Sequence, residues 1–388
     1  MKWKVSILML VFLLILSGCW NKEELDEAGF VMAVALDRGK KEPIDMTTQM
    51  YRPVTGGSSK GKGASPKSSS LLIKTSNSSI FEAVRDIPLH LGRKAQWSHM
   101  RILLIGEELA RTTDIGELID FFYRDHEPRH TVSILITSGR ADRILSRQPV
   151  IEQTTGQQIA LTQQFSLRNS AKSLDTTLLD LALQMNAPHN DTAVAYVYED
   201  KRAEDKFVTA GLALVKKGKL TGVLPSKKVE GLVMLINQYK SGIIEIACPG
   251  QSRRTESMEV LDLKTKLKPK EKDGKVNVKV KTVVRGATGE LRCTEIKTRE
   301  DEEKFVRKME EEIKKQMSES IRYLQLKKTD IIGIGNMLYR ANPKQWETMK
   351  GTWDRQFAET TFELEVKVTL VTTGTVINKP AVSGDGNK

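Results

Sequence analysis

Cysteine is scarce in this chain: Cys19, Cys248 and Cys293 are the only three in 388 residues. Three thiols exclude the multi-bridge framework that holds small secreted domains together. Histidine is also sparse, with five residues spread between His90 and His189 and no cluster among them. A metal or histidine-based catalytic centre therefore has little to draw on, and no Ser, Cys or Asp neighbours a base at a spacing that suggests a nucleophile. Long apolar runs are missing after the first residues. The best later candidates, Ile102 to Ile105 and Val132 to Thr137, are strand-sized, whereas a spanning helix needs about 18 or more apolar residues.

The first residues do carry such a run, from Val5 to Leu16, preceded by Lys2 and Lys4 and followed by Ser17-Gly18-Cys19. At 1.5 Å per residue it covers roughly 18 Å of a hydrocarbon core about 30 Å thick, so it is too short for a comfortable permanent span. Basic start, apolar middle and small residues before a cysteine form the layout of a secretory signal. The last four residues, Leu16-Ser17-Gly18-Cys19, resemble the lipobox of diacylglycerol-modified bacterial lipoproteins. Residues 1–18 are therefore expected to be a removed signal peptide, with Cys19 lipidated. Two or three acyl chains anchor stably where one is marginal. The formal charge is +12, and removal of Lys2 and Lys4 leaves +10 (12 minus 2). Near anionic headgroups each basic residue adds about 1 kcal/mol of attraction, and export argues against nucleic acid as the partner. Cys248 and Cys293 remain after lipidation. One bridge between them is open, but free buried thiols are the expectation for exported proteins of bacteria with little disulfide use.

Beyond Cys19 the patterning predicts an α+β chain of two or three domains, with mixed and antiparallel β-sheets covered by helices. An N-terminal α/β domain is expected over 19–200. Its strands are read at Phe30 to Leu36, Asp45 to Tyr51, Leu71 to Thr75, Ile102 to Ile105 and Thr131 to Thr137. Its helices are read after a cap at Asn77 or Ser78, stopped by Pro88, then opening at Glu107 to Arg111, and then holding Leu118, Ile119, Phe121 and Phe122; Gln153 to Ser173 reads as helical. Residues 55–70, rich in Gly, Ser and Lys, read as a flexible loop whose Lys60, Lys62 and Lys67, with neighbouring Lys74, are solvated rather than a phosphate site. The charged stretch from Asp200 to Lys206 reads as a boundary, and a C-terminal α+β domain over 205–375 opens with a hairpin, Val208 to Val215 and Leu220 to Val223. Strands at Val260 to Leu267 and Val276 to Val284 follow, with Lys268 to Lys275 as their turn. Phe305, Met309, Ile313, Met317, Ile321 and Leu324 recur every three or four residues within 300–326, which gives one long amphipathic helix to cover a sheet closed by Phe362 to Val371. Residues 376–388 read as a disordered tail.

Two motifs imitate chemistry. His126-Glu127-Pro128-Arg129-His130 has the H-E-x-x-H spacing that sets two imidazoles on one helical face for zinc. Pro128 inside that turn removes a donor, clashes with the preceding turn at about 3 kcal/mol, and drives Glu127 out of helical geometry. Only His189 lies downstream as a third ligand, so no metal and no cofactor is expected. Gly333-Ile334-Gly335 lacks the third glycine of a dinucleotide fingerprint and reads as a flexible or closely packed turn with no ligand.

Taken along its length, the chain resembles the Ger(x)C family, the lipoprotein C subunits of nutrient germinant receptors in bacterial endospores. The residues that carry the resemblance are Gly18-Cys19-Trp20 with Glu23-Glu24-Leu25, the Gly/Ser loop, Gly92-Arg93, Trp97-Ser98-His99 and Gly106-Glu107-Glu108-Leu109-Ala110. In the second half they are Gly211 to Leu214, Lys217 to Leu220, Asp330 to Gly335, Tyr339-Arg340, Pro343, Trp346, Trp353 and Glu363 to Thr373. The stretch Lys268 to Lys275 is longer and more basic than the family pattern. The resemblance implies a non-enzymatic subunit on the outer face of the spore inner membrane, anchored through Cys19 and working with integral membrane A and B subunits. Exposed faces around Trp97 and Trp346 would be the contact surfaces, although a tryptophan is more often a core residue than a contact. The alternative is a solute-binding lipoprotein of an ABC importer, which would require a cleft between two doubly wound lobes.

Overall fold

The computed structural model describes residues 27–53, 69–200 and 206–372, and Trp3 apart from them. The expected signal peptide, Cys19, most of the loop at 55–70 and the tail at 376–388 lie outside the described residues.

The elements in chain order are β1 (Ala28–Arg38), β2 (Ile44–Tyr51), β3 (Ser70–Asn77), α1 (Ile80–Arg85), α2 (Ile87–Leu91), β4 (Lys94–Gln96), β5 (Ile102–Gly106), α3 (Glu107–Thr112), α4 (Ile115–Arg124) and β6 (Ser133–Thr137). They continue with α5 (Ala141–Leu145), α6 (Thr155–Ser170), α7 (Leu178–Met185), β7 (Thr192–Glu199), β8 (Phe207–Lys216), β9 (Lys219–Leu224) and α8 (Val229–Leu235). The last group is β10 (Gly242–Cys248), β11 (Gln251–Lys272), β12 (Lys275–Thr288), α9 (Arg299–Lys327), α10 (Ile334–Ala341), α11 (Pro343–Met349), α12 (Trp353–Glu359) and β13 (Thr361–Thr372).

The first sheet has the order β3-β2-β1-β5-β6-β7-β8-β9, with β4 beside the start of β1. Its centre is parallel: β1 pairs β5, β5 pairs β6 and β6 pairs β7 in that sense, while the outer strands are antiparallel. A parallel centre needs cover on both faces, which explains why β5 is apolar throughout and fully buried rather than alternating. Leu103 and Ile105 meet Leu109, Leu118 and Phe122 on one face; Ile102 and Leu104 meet Ala141, Ile144 and Ile159 on the other. Pro88 does end the helix begun at Ile80, and it also starts α2, because proline is tolerated in a first helical turn.

The charged stretch from Asp200 to Lys206 is the connection of an antiparallel pair rather than a gap between sheets. Asp200 N–H donates to the Lys206 carbonyl at 2.9 Å, and β8 pairs β7 from Thr192↔Val215 to Glu199↔Phe207. The hairpin expected to open the second domain thus completes the first sheet by strand pairing, with Ala213 and Val215 in that layer's core and Leu212 and Leu214 in the core shared with the second layer.

The second sheet runs β10-β11-β12-β13, antiparallel except for the parallel pair of β12 and β13. The turn between β11 and β12 is only Asp273-Gly274, both at positive φ, and the lysines from 268 to 272 belong to the strand. An Asp-Gly pair flanked by alternation is the stronger hairpin signal, and it overrides the basic composition. Helix α9 is 29 residues, about 43 Å at 1.5 Å each. Thr298 and Asp301 form a reciprocal capping box at its start, and Phe305, Met309, Ile313, Met317, Ile321 and Leu324 are buried against the sheet. The helix-as-lid expectation holds. One core joins this layer to Ala193, Leu212, Leu214 and Leu224 of the first sheet.

The expectation of free thiols fails. Cys248 and Cys293 are joined as a disulfide. Glu256 accepts from the backbone N–H of Arg292, Cys293 and Thr294 and from the Thr294 hydroxyl, which folds this turn back beside the end of β10. A Glu256 carboxylate oxygen and the two sulfurs lie within 4.8 Å of one another, but the oxygens serve this turn and the sulfurs are bonded to each other.

Candidate functional site

A buried polar cluster joins the two layers. Asp330 is fully buried just before α10, and its carboxylate accepts from the backbone N–H of Gly333 (2.9 Å), Ile334 (3.1 Å) and Gly335 (2.7 Å) and from Trp353 Nε1 (3.1 Å). Its own N–H donates to Asp191 Oδ2 at 2.9 Å. Asp191, at the start of β7, stands 3.2 Å from His189 Nε2, an ionic contact that lacks the alignment of a hydrogen bond. Asn336 clamps the same loop by accepting from His189 N–H and donating to its carbonyl. Burial disfavours a charged His189, but the Asp191 carboxylate and the charges of Asp330 and Asp354 outweigh it and raise the imidazole above its ordinary value. Burial raises the Asp330 carboxyl, opposed by His189 and by its N–H donors.

The Gly333-Ile334-Gly335 turn is accordingly a carboxylate-filled cradle. A Cβ at Gly335 would lie 2.7 Å from Trp346 and 2.9 Å from Trp353 Nε1, so only glycine admits the indoles here. Trp346 and Trp353 pack edge-on at 5.4 Å with His189 beside them. Trp346 and Trp97 are 2% and 3% exposed, so both are core residues and neither forms a contact face. Sequence reasoning flagged Asp330 to Gly335 and both tryptophans through resemblance, but met His189 only as a spare metal ligand. Nothing in the sequence pairs position 189 with position 330.

The H-E-x-x-H segment lies beyond the end of α4, in bends and turns. His126 is 92% exposed and His130 stacks on Tyr123, so the two rings share no helical face. Glu127 instead accepts from Trp97 N–H (3.4 Å) and faces Lys94 Nζ at 3.7 Å. Beside it an open groove of about 940 Å³ lies between α1, α2 and α4, with Phe81, Trp97 and Phe121 among its walls. At the junction of the layers a shallower recess of about 470 Å³ is lined by Asp175, Gln184, Asp191, Asn336 and Arg340. The second sheet, with two of its three pairings antiparallel, is not the doubly wound lobe that the importer alternative required.

Two family descriptions match most of the chain: the spore germination protein N-terminal domain over residues 21–198, and the spore germination B3/GerAC-like C-terminal domain over 210–374. The chain belongs to the Ger(x)C family of spore germination proteins. Among its relatives, spore germination protein KC of Bacillus subtilis (strain 168) is 27% identical over 375 residues, covering 91% of each chain. Spore germination protein B3 of the same organism is 23% identical, covering 95% of this chain and 97% of its own. A structure titled as the crystal structure of the GerBC protein superposes with a TM-score of 0.55 at 19% identity, covering 87% of this chain and 96% of that one, and so shares its fold. The gap between the two family regions, from 198 to 210, spans the β7–β8 connection, so the family division and the sheet ladder part company at this hairpin. Among the described residues no helix is long and apolar enough to cross a membrane.

Proposed function

We propose that this chain is the lipid-anchored, non-enzymatic subunit of a nutrient germinant receptor, acting at the outer face of the spore inner membrane with integral membrane A and B subunits. The observation that carries the reading is the match of both halves of the chain to spore germination domains over 21–198 and 210–374. Residues 1–18 would be removed as a signal peptide and Cys19 would carry diacylglycerol, which concentrates a folded body beside membrane partners without a spanning segment. The buried acids support a non-catalytic role: Asp37 accepts from Ala141 and Asp142 N–H, while Glu256 and Asp330 hold the turns described above. Each of these three carboxylates accepts hydrogen bonds that hold a local turn or a helix start.

The test is optical-density loss of spores after nutrient addition, comparing wild type, a deletion and a Cys19→Ala strain at equal protein level. The deletion should abolish the response to a particular nutrient while growth and sporulation continue. Cys19→Ala should move the protein to the soluble fraction and largely abolish the response. Wild-type germination of the deletion strain with every nutrient, in a background lacking other receptors of this class, refutes the receptor reading. An N-terminal peptide without a lipid mass refutes the anchor.

A further inference from the structure

The geometry points to the end of the first sheet where β1 begins as a docking face for an anionic phospholipid surface, a proposal that rests on the Cys19 anchor. Cys19 precedes Ala28 by nine residues, which reach at most about 30 Å when fully extended. The end of the sheet from which that segment leaves is therefore the part of the body held nearest the headgroups.

The residues at this end are fixed by strand pairing. Ala28 pairs with Lys94, and Lys94 N–H donates to the Glu27 carbonyl at 2.9 Å. Arg101 N–H donates to the Met32 carbonyl, and its own carbonyl accepts from Ser133, which sets Arg101 at the entry of β5. Arg129 lies in the turn before β6, held to the Lys94 strand through Glu127. Arg93 follows Gly92, the left-handed cap of α2. All four basic side chains are exposed, and Arg52 leaves the sheet at this end through its pairing with Ser69. Leu89, four residues before Arg93, is 79% exposed. Basic side chains around a projecting leucine suit the boundary between headgroups and acyl chains. The false zinc motif thereby acquires a role for its arginine, which the proposed germination function alone does not supply.

The rival basic surface is the outer face of β11, where Lys264, Lys266, Lys268, Lys270 and Lys272 are exposed at every second position. That stripe has a simpler explanation. Beyond Val260 the strand has no β10 partner. Thr265 N–H points to that free side, taken by Asn237 Oδ1, so Pro269, of the same parity, removes a donor from it. Lysine and proline on a free edge block unwanted strand pairing.

The probe is the mature chain carrying Cys19→Ala, sedimented with vesicles of phosphatidylcholine alone or with about one third phosphatidylglycerol. Binding should require phosphatidylglycerol. It should fall at least tenfold in an Arg93→Gln/Lys94→Gln/Arg101→Gln/Arg129→Gln chain, following about fivefold per cation. Arg93→Glu/Arg101→Glu, which leaves the Lys94–Glu127 pair intact, should weaken binding as strongly with an unchanged melting curve. A Lys264→Gln/Lys266→Gln/Lys268→Gln/Lys270→Gln chain should bind within about twofold of the parent. Equal binding to both vesicles, or loss only in the β11 variant, overturns the proposal, as does retention in both arginine variants. Because acylation is absent from the probe, failure of the anchor is read separately from the lipid mass on the N-terminal peptide.

Discussion

Replacing Asp330 with Ala should destabilise the chain by about 3–5 kcal/mol. The carboxylate accepts four hydrogen bonds, from Gly333, Ile334, Gly335 and Trp353, and sits in a fully buried site. Hydrogen bonds to a charged group contribute about 1.5–3 kcal/mol each, so their gross loss would be about 6–12 kcal/mol. Relief of the buried charge returns part of that, and removal of one partner from a buried charged network leaves a net cost of about 3–5 kcal/mol. Asp330→Asn keeps the shape and one good acceptor, so about half the loss is expected. Trp353→Phe removes one donor to the carboxylate and leaves space where a fully buried indole was, so it should cost about 2–4 kcal/mol. Urea unfolding followed by tryptophan fluorescence is suited to this, since Trp346 and Trp353 flank the site. A loss below about 1 kcal/mol for Asp330→Ala, or equal losses for Ala and Asn, would refute the account of the turn as a carboxylate-filled cradle.

The raised His189 value has a sign. Its stabilising contribution is complete below the unfolded value near 6.5 and declines as pH rises through the higher folded value, so unfolding free energy should fall over that window and His189→Gln should flatten the fall. Burial lifts the Glu230 carboxyl to about 7, with Lys172 opposing and Glu245 adding. The folded chain therefore binds the extra proton between about 4.5 and 7 and loses stability as pH rises there. With Glu230 partly exposed, Glu230→Gln should gain about 1–2 kcal/mol at pH 8 and nothing at pH 4, measured by denaturant titration at both values. The Cys248–Cys293 bridge closes a separation of 45 residues. Its loss in a Cys248→Ala/Cys293→Ala chain should cost about 4 kcal/mol in the chain-entropy account. Thermal melts with and without reductant check this, and a parent chain indifferent to reductant would contradict it.

The sequence by itself determined the elements whose signals are local. The all-apolar β5, the Phe305-to-Leu324 row of α9 and the effect of Pro128 on the H-E-x-x-H segment depend on neighbours within a turn or two, where side-chain period and backbone sterics act. The family was legible for the same reason, in short runs such as Asp330 to Gly335. Tertiary structure alone decided what distant segments share. The hairpin at β8 and β9 reads the same in either layer, and only its pairing with β7 assigns it to the first sheet. His189 and Asp330 are far apart in sequence, and no period connects them; the Asp191 carboxylate and the Asn336 amide do, once β7 and α10 are packed. The cysteine bridge followed the same rule. Buried Glu256 takes its donors from the turn at 292–294, and the same long-range fit holds Cys293 beside Cys248.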